Sequence, residues 1–341
     1  MPDNRTLVSV ILAAGKGTRM RDNSLHKVCY TVAGIPVIHR SLALYEQCGL
    51  SWHLLVVGQN VEQVMKTVAE SPSTSRVMYC YQAEQKGTAH ATRVAANLLE
   101  MQGFDGDILV VAGDKVLEEG IVRRLLDDFY ANDNDLSFVV GDVKDFPDAG
   151  RIITDEKGGI IGNVEIFDCD RIRLFLKLRE MTKKGPVAAT EVERMALGYF
   201  KTEKKAAKAL GPIWEILKGG QPIDRSALDA HTAEKDYFLN INGRQYRPEL
   251  MDNVRFTNLS VYLFKAQSLY RSLKGVGSAN AQNEEYLPDV IGMLIAQDAR
   301  VSKVPLRYPE EAMAFNTPEE LAEIERYYAG GCCTTSLVGN R

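Results

Sequence analysis

The stretch LAAGKGTRMRDNSLHKV, Leu12 to Val28, sets two glycines, a threonine and a run of cations directly behind an apolar run. Glycine lets a backbone turn sharply or approach a ligand closely, and ordering it costs more entropy than ordering any other residue. Such a loop suits a bound anion, cradled by backbone N–H groups and neutralised by side-chain cations. Two common phosphate loops do not fit. A Walker A loop needs Gly-Lys followed at once by Ser or Thr, whereas here Gly17 follows Lys16 and Arg19 follows Thr18. A dinucleotide fingerprint needs a third glycine where Met20 stands, and an acid near the end of the second strand, where the chain reads LLVVGQN.

Taken whole, LAAGKGTRM followed by HKV and VAGIPVIHR resembles the signature loop of the sugar-1-phosphate nucleotidyltransferases, most nearly that of the N-acetylglucosamine-1-phosphate uridylyltransferase domain. The likeness continues in the family's order through QAEQKGTAHA, VVAGD, AGRI, NVE, EEYLPDVI and AFNTPEELAEIE, spanning about Leu7 to Arg326 around an extra 168–253 segment. It implies a reaction in which a sugar-1-phosphate oxygen attacks the α-phosphorus of a nucleoside triphosphate in line and pyrophosphate leaves. The nucleophile is already an anion, so no side-chain base is required, and catalysis becomes positioning and charge neutralisation.

The resemblance also implies roles. Leu12, Ala13, Ala14, Gly15, Gly17 and Thr18 hold the nucleotide, the N–H groups from Ala14 to Thr18 forming an anion nest. Arg19 clamps the β- and γ-phosphates, and Lys27 holds the charge developing on the α-phosphate. Gln82, Gly87 and Thr88 occupy the base-reading positions; a glutamine amide offers a donor and an acceptor to a pyrimidine edge, which points to UTP, with dTTP next. Asp114 and Asn316 match the ligands of a magnesium ion, which takes few protein donors and completes its shell with substrate oxygens and water. Gly150, Glu165 and Asn258 match the sugar contacts.

Four features depart from the family pattern. His26 stands where proline is usual, Lys115 follows the metal aspartate, Pro288 replaces a threonine, and the 168–253 segment is long. In addition Ser260 stands where a glycine is usual after Asn258, and its side chain narrows the pocket. An ammonium at Lys115 either competes with the metal for Asp114 or helps neutralise a substrate phosphate, and the sequence leaves both open. The phosphate and base positions are intact while the changes gather on the sugar side. Another sugar or alditol phosphate, with dTTP or CTP as donor, therefore stays open beside N-acetylglucosamine-1-phosphate and UTP. So does a nucleotide-sugar sensor of the same fold that turns nothing over.

These residues need strand ends and helix starts to position them. LVSVIL (Leu7 to Leu12), LLVV (Leu54 to Val57), VMYCY (Val77 to Tyr81) and ILVVA (Ile108 to Ala112) read as strands apolar on both faces, the mark of a parallel sheet. Amphipathic helical segments alternate with them, which implies right-handed crossovers and a doubly wound α/β domain. The family implies a Rossmann-like mixed sheet, the nucleotide-diphospho-sugar transferase fold. Ligands in such sheets sit beyond the carboxyl ends of the strands, where Leu12 to Val28 lies. From about Asp135 the strands LSFVVGDV, GIIGNVEIF and FTNLSVYLF are separated by longer connections, and the helix TEKKAAKAL reads as a solvated lysine face. The organisation expected is a nucleotide-binding half (1–134), a sugar-binding half (135–328) with the 168–253 insertion covering the sugar or a subunit contact, and a flexible tail (329–341). Thr317 caps the last helix, with Pro318 at its first position. No hexapeptide repeat announces a β-helix, and the acetyltransferase domain often fused to the nearest family is not expected.

At 341 residues, with 45% apolar and 25% charged, the chain has the composition of a soluble globular protein. A net charge of -4 and a pI near 5.9 give no overall basic field, so neither nucleic acid nor a membrane surface is expected as a partner. The partners implied are a nucleoside triphosphate and a sugar-1-phosphate, and a homo-oligomer is left open. The first apolar run, about eight residues, is too short for a signal peptide or a spanning helix, so a cytoplasmic location is expected. Six cysteines show no CxxC pair or zinc spacing.

Overall fold

β1 (Leu7–Ala13) is apolar except for Ser9 and buried along nearly its whole length, as a strand with neighbours on both edges and layers on both faces must be. The chain continues through β2 (Thr31–Val32), β3 (Ile35–Pro36), α1 (Val37–Gln47), β4 (Trp52–Val57), α2 (Val61–Ala69), β5 (Arg76–Tyr81) and α3 (Thr88–Met101). Then follow β6 (Asp107–Ala112), β7 (Lys115–Leu117), α4 (Glu119–Ala131) and β8 (Leu136–Asp142). The computed structural model describes residues 6–15, 20 and 25–330. It divides into two compact units, one taking in the chain up to Val140, Leu259–Lys274 and the part from Ala299 on, the other Gly141–Asn258 and Gly275–Asp298. The first unit thus gathers three separate stretches of chain.

In the first unit β1 lies parallel to both β4 and β6, and β4 is parallel to β5. The order is therefore β6-β1-β4-β5: the chain moves outward from β1 to β4 to β5, then returns to the other side of β1. The strand order reverses at β1 and β6, and in α/β sheets the crevice beyond such a reversal is where ligands bind. VMYCY reads as a strand buried on both faces, but β5 is half-exposed, with Tyr81 60% accessible, because it is the edge strand. On the far side β13 (Phe256–Lys265) runs antiparallel to β6, followed by α10 (Ala266–Leu273). β8 pairs with β13, and β14 (Val301–Pro305) runs parallel to β8. The seven strands make a mixed, mostly parallel sheet in an α/β fold, as the alternation of strands and helices predicts.

β15 (Ala312–Ala314) pairs antiparallel with β7, Ala314 opposite Lys115, and leads into α12 (Pro318–Ala329). α12 starts as its sequence predicts: the Thr317 hydroxyl accepts from the Glu320 N–H at 3.2 Å and Glu320 closes the capping box. Within the described residues no helix is long and apolar enough to cross a membrane. The tail segment 331–341 lies outside the described residues.

The second unit holds the hairpin of β9 (Arg151–Thr154) and β10 (Ile160–Val164), with Thr257 of β13 opposite Arg151. After β10 come α5 (Ile166–Thr182), α6 (Ala189–Phe200), α7 (Glu203–Leu210), α8 (Pro212–Lys218) and α9 (Arg225–His231), then a small hairpin of β11 (Leu239–Ile241) and β12 (Arg244–Tyr246). The helices enclose a core of their own, with Phe175, Leu178, Val192, Leu210, Ile213 and Leu217 all buried. α7 turns Ala206, Ala209 and Leu210 inward and leaves Lys204, Lys205 and Lys208 exposed, the solvated face its composition suggests. α11 (Asp289–Ile295) lies on β10, where a side chain on Gly162 would stand 3.4 Å from Gly292 Cα.

Candidate active site

In the first unit the backbone leaving β1 is clamped at the point where the strand order reverses. Gly113 donates its N–H to Leu12 O at 2.9 Å, and a Cβ on Gly113 would stand 2.9 Å from both that oxygen and Val28 Cγ1. Across β1, a Cβ on Gly58 would lie 2.8 Å from Ala14 O, which also accepts from Gln85 Nε2 at 2.5 Å. Leu12, Ala13 and Ala14 are thus fixed by close backbone approach on both sides. Gly15 is exposed, with nothing within 4 Å of the place a Cβ would take. Gly17, Thr18 and Arg19 lie outside the described residues.

Lys27, Asp114 and Asn316 come together although 289 residues separate the first from the last. Asp114 directly precedes β7, and the pairing of β7 with β15 carries the chain on to Asn316 beside it. Asn316 is held in turn by Glu320, whose carboxylate accepts from the N–H groups of Asn316 and Thr317. Lys27 begins a 3₁₀ turn and lies 5.3 Å from the centroid of the Phe315 ring. Its ammonium donates to Asp114 Oδ2 and, at 3.1 Å, to Asn316 Oδ1. One carboxylate oxygen and one amide oxygen therefore converge on a single cationic atom, a hard oxygen donor pair of the kind magnesium takes.

The ammonium on Asp114 belongs to Lys27 rather than to Lys115. Lys115 is half-buried, and burial lowers its pKa; Asp114 pushes it back up and Lys27 pulls it down. His26 is buried. Its N–H donates to Gln63 Oε1 at 2.8 Å, while desolvation lowers its pKa against the raising effect of backbone at Gly15 and Ala13, so the imidazole is neutral at pH 7.

Gln82 continues from the end of β5 and is buried, its backbone N–H bonded to Val57 O at 2.8 Å. Its amide nitrogen faces His90 Nδ1 at 2.9 Å and Gly87 O at 3.4 Å, which leaves the amide oxygen as the acceptor for a ligand. Gly87 has φ +120°, a conformation L side chains rarely adopt, and directly precedes Thr88, the first residue of α3.

The second unit brings Gly150, Glu165 and Asn258 together. Asn258 donates its N–H to Gly150 O at 2.8 Å, and a Cβ on Gly150 would lie 2.8 Å from Asn163 Oδ1 and 2.9 Å from Glu165 Oε1. Asn163 Nδ2 donates to Glu165 Oε1 at 3.0 Å. Burial, aided by Asp168 and Glu284, pushes Glu165 up to about 7, against the Asn163 hydrogen bond and Arg151, which lower it. Ser260, at the usual glycine position, has φ +58°, the conformation for which glycine is the ordinary choice.

Four further contributors, Asn163, Glu320, Gln85 and Phe315, lie within the motifs named above but beside the residues to which those motifs give roles. Asn163 stands two residues before Glu165, so strand periodicity gives both one face of the chain. Glu320 is legible as the third residue of a capping box. Gln85 and Phe315 carry no sequence signal beyond lying near Gln82 and Asn316.

A sheet that reverses beside a glycine loop, with a lysine, an aspartate and an asparagine converging there, has the form of a nucleotidyltransferase. The chain belongs to the MobA-like NTP transferase domain family, whose model matches residues 9–187, just over half of it. It is similar to the bifunctional protein GlmU of Pelotomaculum thermopropionicum, 27% identical over 322 residues, 94% of this chain and 52% of that protein. To GlmU of Gloeobacter violaceus it is 34% identical over 164 residues, 48% of this chain and 34% of that one. The chain spans about half the length of the first of these relatives, and a third of the second. A crystal structure from Bacillus anthracis, described as a glucose-1-phosphate thymidylyltransferase in complex with sucrose, aligns with a TM-score of 0.59, covering 97% of this chain and 98% of that one. At 13% identity this is a likeness of fold.

Proposed function

We propose that the protein transfers a nucleotidyl group from UTP to a sugar-1-phosphate, with magnesium, releasing pyrophosphate and a nucleotide sugar. The observation that carries this reading is the convergence of Lys27, Asp114 and Asn316. In this reading the N–H groups of the loop after β1 receive the triphosphate, with Arg19 on its outer phosphates. Lys27 neutralises charge on the α-phosphate as the sugar phosphate oxygen bonds to phosphorus and the bond to the pyrophosphate oxygen breaks. The excess charge departs with pyrophosphate, and no proton needs to move. Asp114 and Asn316 would hold magnesium, whose contribution when bound is to neutralise phosphate charge and order the triphosphate.

Support for a pyrimidine comes from Gln82, whose amide oxygen remains free to accept from uracil N3–H, and from Gly87, which admits a base against the backbone. Thymine presents the same edge, so dTTP ranks next. On the acceptor side the second unit supplies Gly150, Glu165 and Asn258, with N-acetylglucosamine-1-phosphate the acceptor the sequence resemblance implies.

The test is pyrophosphate release with magnesium, screening UTP, dTTP, CTP, GTP and ATP against a panel of sugar-1-phosphates. Release with UTP and a sugar-1-phosphate, absent when either is omitted, is the expected result. No release across the panel, with UDP-sugars still bound, would leave a sensor of nucleotide sugars and remove the enzyme reading.

A further inference from the structure

The acceptor side of the second unit gathers more acidic groups than a neutral sugar requires. Glu165 stands at the N-cap position of α5, its carboxyl making no capping hydrogen bond, Asp168 lies in the first turn, and Asp289 begins α11. Among the described residues these three carboxyls form no ion pair. The nearby cations are engaged elsewhere: Arg151 donates to the carbonyls of Ala149 and Pro147, Arg171 to Asp236 at 2.7 Å, and Lys208 lies 3.7 Å from Glu284. Asp168 accepts a single backbone N–H, that of Ala281 at 3.0 Å.

A second feature points to what is missing. Asn163 is 5% exposed and its Oδ1 has no hydrogen-bond partner, while its Nδ2 donates to Glu165. Both Asn163 Oδ1 and Glu165 Oε1 face the space that a Cβ on Gly150 would fill, at 2.8 and 2.9 Å. Leaving a buried polar atom without a partner is costly, so the cradle calls for a donor. The atoms nearest that space are Asn163 Oδ1, Glu165 Oε1 and, at 3.1 Å, Asn163 Nδ2, which already donates to Glu165.

The charge balance says which donor. Burial first, then Glu165 and Asp168, push Asp289 up to about 7, and Tyr286 is likewise driven up by burial and by Asp168 and Glu165. A hydroxyl would satisfy one acceptor and leave the charge as it is. An ammonium brings three donors and no acceptor, together with the opposite charge.

We propose that the acceptor is a phosphate ester bearing a free primary amine, an amino-sugar 1-phosphate, whose ammonium is received over Gly150 by Asn163 Oδ1 and Glu165 in the field of Asp168 and Asp289. This rests on the nucleotidyltransferase reading and refines its acceptor from an acetamido sugar to an amino sugar. Asn163 is a binding residue in this account; Asp168 and Asp289 act through the field.

Calorimetry on the full chain tests it, with magnesium and a UTP analogue whose α,β bridge cannot be cleaved, at pH 7. Glucosamine-1-phosphate, N-acetylglucosamine-1-phosphate and glucose-1-phosphate are titrated in turn. The amine should bind roughly tenfold tighter than the other two, as one added charge attraction at partial burial allows. Asp289→Asn should reduce that preference at least threefold while leaving glucose-1-phosphate affinity unchanged. Equal or weaker binding of the amine, an unchanged preference in Asp289→Asn, or no binding by any of the three overturns the proposal. The rank order in the unmodified protein decides the question even if the variant does not fold. No turnover is involved, so failure here with pyrophosphate still released from UTP would discard the amine and keep the transferase.

Discussion

The two units handle charge in opposite ways. In the first, Lys27 meets a carboxylate and an amide oxygen, and Glu320 completes a helix cap, so the charged groups around Asn316 have partners in the folded chain. In the second, Glu165, Asp168 and Asp289 are drawn out of water with no ion pair among the described residues. Paired charge can be exchanged for substrate charge at little cost, since the desolvation is already offset. Unpaired buried acid instead raises its own pKa and waits for a donor. On the proposed reading, the paired cluster of the first unit receives the anionic triphosphate and the unpaired acids of the second receive a donor-rich acceptor.

The largest effect should come from breaking the first cluster. Asp114→Asn keeps the shape and removes the charge, and should lower kcat on the order of 10²–10³-fold, the scale of losing one preorganised electrostatic contact. Circular dichroism should be unchanged. A loss of less than threefold would mean that Asp114 serves only to hold Lys27.

Next in size is Gly150→Ala. Its methyl would lie within 3 Å of Asn163 Oδ1 and Glu165 Oε1. KM for the acceptor should rise about tenfold to a hundredfold, with KM for the nucleotide little changed, as displacement of a positioned substrate predicts. Equal rises in both constants would deny the division of labour between the units.

A smaller effect separates the units by pH. Glu165 and Asp289 hold protons up to about 7 in the folded chain, chiefly because they are buried, against roughly 4 in an unfolded one. Between those values the folded state binds more protons than the unfolded, so stability falls as pH rises through the window. Thermal denaturation should show a lower melting temperature at pH 8 than at pH 5, with the slope flattened in Asp289→Asn. A melting temperature that climbs over this range would show that the acids are paired after all. The smallest change expected is a gain: Ser260→Gly relieves a left-handed backbone and should stabilise the chain by about 1 kcal/mol.

Much of the first unit was legible in the sequence because buried parallel strands are written as unbroken apolar runs, and α12 because its cap is a local signal. The edge exposure of β5 was not, since VMYCY reads like any core strand until its missing neighbour is known. Asp114 and Asn316 were legible through the family motif, but their meeting depends on the pairing of β7 with β15, strands more than half the chain's length apart. No spacing rule reaches that far. The acids at 168 and 289 were invisible for a different cause: burial and the occupation of nearby cations are tertiary properties, and the motif EEYLPDVI drew attention to Pro288 rather than to Asp289 beside it.

The most direct measurement is product analysis after incubating UTP with a sugar-1-phosphate carrying ¹⁸O in its non-bridging phosphate oxygens. The account predicts pyrophosphate and a UDP-sugar, with label retained in the oxygen joining the two phosphorus atoms, because that oxygen is the nucleophile. UMP formed by hydrolysis, or a UDP-sugar lacking label at the bridge, would contradict it.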